Sequence, residues 1–207
     1  MAGTLPHAVF VETDVDGTGV VAAYAAELPG CATFARSDTD AVRAMPSRVH
    51  DFTGWLRRYG ETPPTIIGDN WYEVERAAAT HGPDGHRRAA FSLDELSPSD
   101  SEFSQYLRWL ELAREELADA LDASADVASA MELLSAIDRQ DRVVARELGG
   151  TPGPELNDPI DRLYASRAAL TDALEAAGPT RDGVRRAIRI ALADDLRAAD
   201  LLRETSS

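Results

Sequence analysis

Leu96-Ser97-Pro98-Ser99-Asp100 divides this chain into two kinds of sequence. The stretch reads as a helix start, with a serine to cap free amides, a proline in the first turn and an acid three residues on. Beyond it, apolar residues recur at helical spacing: Phe103, Leu107, Leu110, Leu117 and Leu121 mark a first long helix. A second is expected over about residues 126–148, ending at Gly149-Gly150. Asp158-Pro159 opens a third, carrying Ile160, Leu163, Leu170 and Leu174 and stopping at Gly178-Pro179. A fourth is expected over about residues 181–203, with Val184, Ile188, Leu192, Leu196 and Ala199. Four amphipathic helices with short connections predict a four-helix bundle.

Before the divide, the apolar runs are short and broken by turn residues. Residues 7–12 read as a strand with Val9 and Val11 opposite Ala8 and Phe10, and Asp14-Val15-Asp16-Gly17-Thr18-Gly19 as the turn of a hairpin completed by residues 20–26. Leu28-Pro29-Gly30-Cys31 turns into a third strand over residues 32–36. Ser37 and Asp40 then have the form of a capping box. The helix they open carries its apolar stripe on Val42, Met45, Val49, Phe52, Leu56 and Tyr59, and Gly60 with Pro63-Pro64 stops it. Pro46, inside the stripe, predicts a kink or an irregular first turn. Residues 71–77 and 88–92 read as two further strands around a polar loop over residues 80–86. The expected architecture is α+β: a small sheet-and-helix domain over residues 1–95, then an all-α bundle over residues 96–207.

Composition narrows the function classes. Hydrophobic residues at 44% and charged residues at 28% are an ordinary globular balance, which argues against disorder. No apolar run approaches the ~20 residues of a membrane helix, and Glu12 and Asp14 follow residues 5–10 too closely for a secretory core. A single cysteine, Cys31, fits a reducing compartment, so the cytoplasm is the expected location. A net charge of -15 opposes binding to nucleic acid or anionic lipid. All 21 basic residues are arginine, so lysine-based Schiff-base or general-base chemistry is excluded.

Two resemblances follow from these motifs. The paired strands, Glu27-Leu28-Pro29-Gly30-Cys31, the strand after it, Ser37-Asp38-Thr39-Asp40-Ala41 and the amphipathic helix resemble the HicB-like antitoxin fold over about residues 7–64. Such a resemblance implies a small RNA-cleaving toxin as partner, although the DNA-binding appendage of that family is replaced here by a bundle. Residues 97–205 resemble the DinB/YfiT family of helical bundles, and Trp55-Leu56-Arg57-Arg58-Tyr59-Gly60-Glu61 and residues 91–94 have the look of HicB–DinB fusions. The DinB resemblance implies a divalent metal held by three histidines, one on the second bundle helix and two, spaced four apart, on the fourth. Here Ala136 falls at the first position, and Ala193 and Arg197, or Asp194 and Ala198, at the other two. Asp141 stands where that family often has a glutamate. All four histidines (His7, His50, His81 and His86) precede residue 87, so the bundle has no nitrogen or sulfur side chain of the kind that ligates zinc or nickel. Neither a metal nor a cofactor is therefore expected.

Several residues stand out as candidates, each with a plainer reading. His81, Asp84 and His86 could clip a metal, or form a polar hairpin tip. Cys31 could be a nucleophile, but with no activating base in view it reads better as a small buried residue. Asp138 and Asp141, with Asp194 and Asp195, could converge as an acid/base group or magnesium site; the alternative is a partnership with Arg139, Arg142, Arg189 and Arg197. Asp14-Val15-Asp16-Gly17 resembles part of a calcium loop but lacks its terminal glutamate, so a hairpin turn is expected. Trp109 is expected in a core, and Trp55 and Trp71 either in a core or at the domain junction.

The expected function is non-catalytic recognition of a small molecule or a protein by the sheet domain, with a metal-free bundle that dimerises. Two alternatives stay open: an enzyme with a relocated or carboxylate-based site, and an antitoxin-like partner of a small basic toxin.

Overall fold

Val9, Phe10, Val11 and Glu12 are all buried, so the first strand is covered on both faces, and the two faces are covered by different things. The protein is described by a computed structural model covering residues 7–82, 85–124, 128 and 131–205. It is mixed α+β, a sheet followed by helices, and divides into two compact units, one ending at Leu93 and one beginning at Asp94.

In the first unit, β1 (His7–Thr13), β2 (Val21–Ala25) and β3 (Ala32–Ala35) form an antiparallel meander, and β4 (Trp71–Ala78) returns to lie parallel to β1. The sheet order is therefore β3-β2-β1-β4. The register of β4 slips between Val9 and Phe10, leaving Val74 without a partner on β1. The helix α1 (Asp38–Arg58) lies on the face that carries Val9, Val11, Ala23 and Thr33; the Thr33 hydroxyl donates to the Ala41 carbonyl at 2.7 Å. Ser37 caps it as expected, its hydroxyl accepting from the Asp40 amide.

Pro46 does not interrupt α1, which is helical throughout from Asp38 to Arg58. A proline inside a helix costs about 3 kcal/mol. Met45 and Val49 on either side of it are buried, and burying two such side chains contributes about 3–6 kcal/mol. Packing on the sheet therefore outweighs the lost backbone bond.

The other face of the sheet carries Phe10, Tyr24 and Glu12, and the segment over residues 88–91 covers it. Phe91 packs on Phe10 and Tyr24 with ring centroids at 5.3 and 6.2 Å. This corrects the strand expected over residues 88–92. The Glu12 carboxylate accepts from the Arg88 Nε at 3.1 Å and from the Ala89 amide at 2.6 Å, so the segment is held by one side chain instead of a ladder. Arg88 also donates to the Tyr24 hydroxyl, which in turn donates to Glu12 at 2.8 Å. The expected polar loop over residues 80–86 is in its described part a short hairpin, β5 (Thr80–Gly82) with β6 (Gly85–Arg87).

The second unit contains α2 (Asp100–Ala123), α3 (Met131–Glu147), α4 (Pro159–Ala177) and α5 (Val184–Thr205). The start expected for the second bundle helix, near residue 126, lies outside the described residues. The cap of α2 is Ser99, two residues after the expected one. Its hydroxyl accepts from the Glu102 amide while the Glu102 carboxylate accepts from the Ser99 amide. Glutamate reaches back where the shorter Asp100 side chain would not. Asp158 caps α4 as read. The helices pack chiefly as two pairs, α2 with α5 and α3 with α4. Their common core includes Leu117, Leu134, Ile137, Leu163 and Leu202. At the α3–α4 connection, a Cβ on Gly153 would stand 2.4 Å from the Ala165 carbonyl oxygen, so only glycine lets the chain pass this close.

Candidate functional site

Each helix of the second unit places one charge on its own apolar stripe. Arg114 sits between Leu110 and Leu117 on α2, and Asp141 between Ile137 and Val144 on α3. Arg167 sits between Leu163 and Leu170 on α4, and Asp195 between Ala191 and Ala198 on α5. A stripe position faces the interior, and all four side chains are buried. They meet as a lattice of two guanidiniums and two carboxylates. Arg167 Nε donates to Asp141 Oδ2 at 2.9 Å, and its Nη1 lies 2.9 Å from Asp195 Oδ2. Arg114 Nη2 donates to Asp195 Oδ1 at 3.0 Å and lies 3.6 Å from Asp141 Oδ2. The lattice joins the two helix pairs: Arg114–Asp195 and Asp141–Arg167 lie within pairs, while Arg167–Asp195 and Arg114–Asp141 cross between them.

Burial governs the electrostatics here. It pushes the Asp141 carboxyl above its ordinary value, against the pull of Arg167 and Arg114. It lowers Arg114, with Asp195 opposing. Burial also works against the charge on Arg167, but Asp141 and Asp195 together outweigh it and hold that guanidinium above its usual value. Two positive and two negative groups cancel formally, which is the condition under which charges are tolerated out of water. Tyr164, partly exposed, lies over Arg114 with its ring centroid 5.9 Å from the guanidinium carbon.

Of the four aspartates singled out in the sequence, Asp141 and Asp195 thus come together. Asp138 does not join them; it accepts from Arg142 one turn along α3 at 2.9 Å, and Arg142 continues to the carbonyls of Gly153 and Pro154 at 2.6 Å each. Asp194 is buried and contributes to the field at Arg167. Arg189 belongs elsewhere, holding Asp94 through two bonds of 3.1 and 2.7 Å. The arginines that engage Asp141 and Asp195 are Arg114 and Arg167, which reading by proximity along the chain passed over. Their signal was present: a charge at a stripe position.

Residue positions implied by the DinB resemblance do not fit a metal site. Ala136 is exposed on α3 whereas Ala193 is buried in the core, so the two do not face a common centre. Among the described residues, no group of three or more His, Cys, Asp or Glu side chains is placed to hold a metal ion.

The candidates of the first unit have local explanations. His81 Nε2 lies 3.0 Å from the Asp14 carbonyl and 3.1 Å from its carboxylate, closing the hairpin turn. His86 is its backbone partner on β6, and Asp84 lies outside the described residues. The Asp14–Gly19 segment is a hairpin turn, in which Asp14 Oδ1 accepts from the Gly19 amide at 2.9 Å and Val15 donates to the Val20 carbonyl at 2.8 Å. Cys31 is fully buried, and burial pushes its thiol up to about 12, far from the thiolate a nucleophile needs. Trp55 packs with Phe52 and Tyr59, Trp71 stacks on His7 at 4.6 Å, and Trp109 is buried beside Tyr106.

No protein-family model, no curated protein and no solved structure matches the chain. Within the described residues, no helix is long and apolar enough to cross a membrane.

Proposed function

We propose that this chain is a non-catalytic binding protein, in which a HicB-like sheet unit carries recognition and a metal-free, DinB-like bundle serves as the structural partner that dimerises. One observation carries the reading: the carboxylates best placed to act as acids, bases or magnesium ligands, Asp141 and Asp195, are buried and already engaged by Arg167 and Arg114. An acid/base pair must reach a substrate, and a hard cation needs several free oxygens. Neither condition suits carboxylates sealed between guanidiniums. The same observation weighs against an enzyme with a carboxylate-based site.

A second reading, an antitoxin-like partner of a small basic protein, draws on the net charge of -15 and on Tyr72 and Val74, exposed on the edge strand β4.

The test is the metal content of tag-free protein after incubation with zinc, nickel, manganese and magnesium, measured by mass spectrometry. The expected stoichiometry is near zero, with a melting temperature indifferent to chelator. A stoichiometry near one per chain overturns the reading.

A further inference from the structure

In the first unit, a groove of about 360 Å³ runs between α1 and the extended segment that leads to β4. One wall is a stripe of α1, with Val49, Thr53 and Arg57 four residues apart and His50 beside them. The other wall carries Ile66 and Asp69, and Trp71 at the start of β4 completes the lining. The strap is tied to the sheet through His7: its amide donates to the Asn70 carbonyl at 2.8 Å, its Nε2 lies 3.0 Å from the Ile67 carbonyl oxygen, and its ring stacks on Trp71. Clefts of ~300–1,000 Å³ with an apolar floor and a few polar groups are the usual form of small-molecule sites.

The Thr53 hydroxyl donates to the His50 carbonyl at 3.1 Å, but two charged groups and one indole of this groove are uncommitted among the described residues. Arg57 and Asp69 line it together, yet among the described residues neither forms an ion pair, with the other or with anything else. With 36 acidic residues against 21 basic ones, an arginine in this chain readily finds a carboxylate, yet Arg57 has none among the described residues. The Trp71 indole N–H is buried and lacks an acceptor among the described residues. A buried donor left unmade costs free energy that a ligand oxygen recovers.

We propose that this groove binds a small amino-acid-like zwitterion with an apolar side chain. Its carboxylate pairs with the Arg57 guanidinium and accepts from the Trp71 indole, its ammonium pairs with Asp69, and its apolar body rests on Val49 and Ile66. Two opposite charges that share a cleft without meeting each other select a ligand that carries both. This deepens the recognition role given above to the first unit and rests on it.

The test uses the full-length chain, titrated with L-phenylalanine, with 3-phenylpropionate, which lacks the ammonium, and with phenethylamine, which lacks the carboxylate. Binding is followed by calorimetry and by amide and indole NMR shifts. L-Phenylalanine is expected to shift the signals of Arg57, Asp69 and the Trp71 indole, with each analogue weaker by about ten-fold or more, as loss of one charge-assisted bond implies. Arg57→Gln and Asp69→Asn, both at exposed positions, are each expected to weaken phenylalanine by a similar factor and leave the melting temperature unchanged. Three outcomes overturn the proposal: no binding of phenylalanine at millimolar concentration, equal binding of either analogue, or binding that survives both substitutions. Absence of binding by a protein that stays metal-free retires the groove and leaves the binding-protein reading standing. A bound metal retires that reading whatever the groove does.

Discussion

Arg167 and Asp195 meet inside the helical unit at a nitrogen–oxygen separation of 2.9 Å, joining helices that belong to different pairs of the bundle. With Arg114 and Asp141 they make the interior of the unit both charged and balanced, so the balance is the quantity to perturb.

Asp195→Ala leaves two buried guanidiniums facing one carboxylate. Breaking a buried pair from one side costs about 3–5 kcal/mol, because the surviving charge has no water to return to. Replacing all four charges together by leucine and methionine is expected to be close to neutral, since the desolvation penalty disappears with the attraction. Urea unfolding of both variants measures the contrast. A loss below about 1 kcal/mol for Asp195→Ala would mean that water reaches the lattice.

Cys31 is expected to resist thiol reagents in the native protein and to react fully once unfolded, because burial raises its value from 9.0 to about 12. The linkage has a definite sign. Between those two values the folded state keeps the thiol proton and the unfolded state loses it, so the contribution is whole below pH 9 and is lost as pH rises toward 12. Melting temperatures of the native chain and of Cys31→Ala should therefore draw together as pH climbs above 9. Parallel curves would refute the burial argument.

The Ser99–Glu102 box should be visible from the acid side. Bonds from the Ser99 amide and hydroxyl, the amide first, hold the Glu102 carboxyl below its ordinary 4.5. A depressed carboxyl contributes stability that is present above 4.5 and lost as pH falls through the folded value. Glu102→Gln should flatten that part of the pH–stability curve, and Ser99→Ala should cost about 1 kcal/mol at neutral pH. Thermal melts between pH 7 and pH 3 separate the two effects, and identical slopes for native chain and Glu102→Gln would show that the box makes no difference.

How much of this was legible in the sequence depends on the range of the interaction. The caps at Ser37 and Asp158, the turn at Asp14–Gly19 and the helical stripes were read correctly because each is decided within about one turn of backbone. Pro46 shows where a local rule stops: Met45 and Val49 beside it are buried on the sheet, and α1 stays helical through the proline. The segment over residues 88–92 misled because its apolar character was real while its partner was a side chain. Glu12, 76 residues earlier, takes Arg88 and draws the backbone out of strand pairing. The groove was not legible at all, since His50, Arg57, Asp69 and Trp71 become neighbours only when the strap folds back along α1.

By itself the sequence determined where the described helices belong, the caps at Ser37 and Asp158 and the stripes the helices bury, together with the α+β order and the absence of nitrogen and sulfur ligands from the bundle. Apart from Asp138 and Arg142, one turn apart on α3, the tertiary structure alone decided which buried charges of the helical unit pair. Arg114 and Asp195 stand 81 residues apart, Arg167 and Asp141 26, and Arg189 and Asp94 95. No local rule reaches that far. A buried charge takes whichever opposite charge the packing of helices brings within 3 Å, and that choice is made by the faces that bury together, after the helices themselves are already specified.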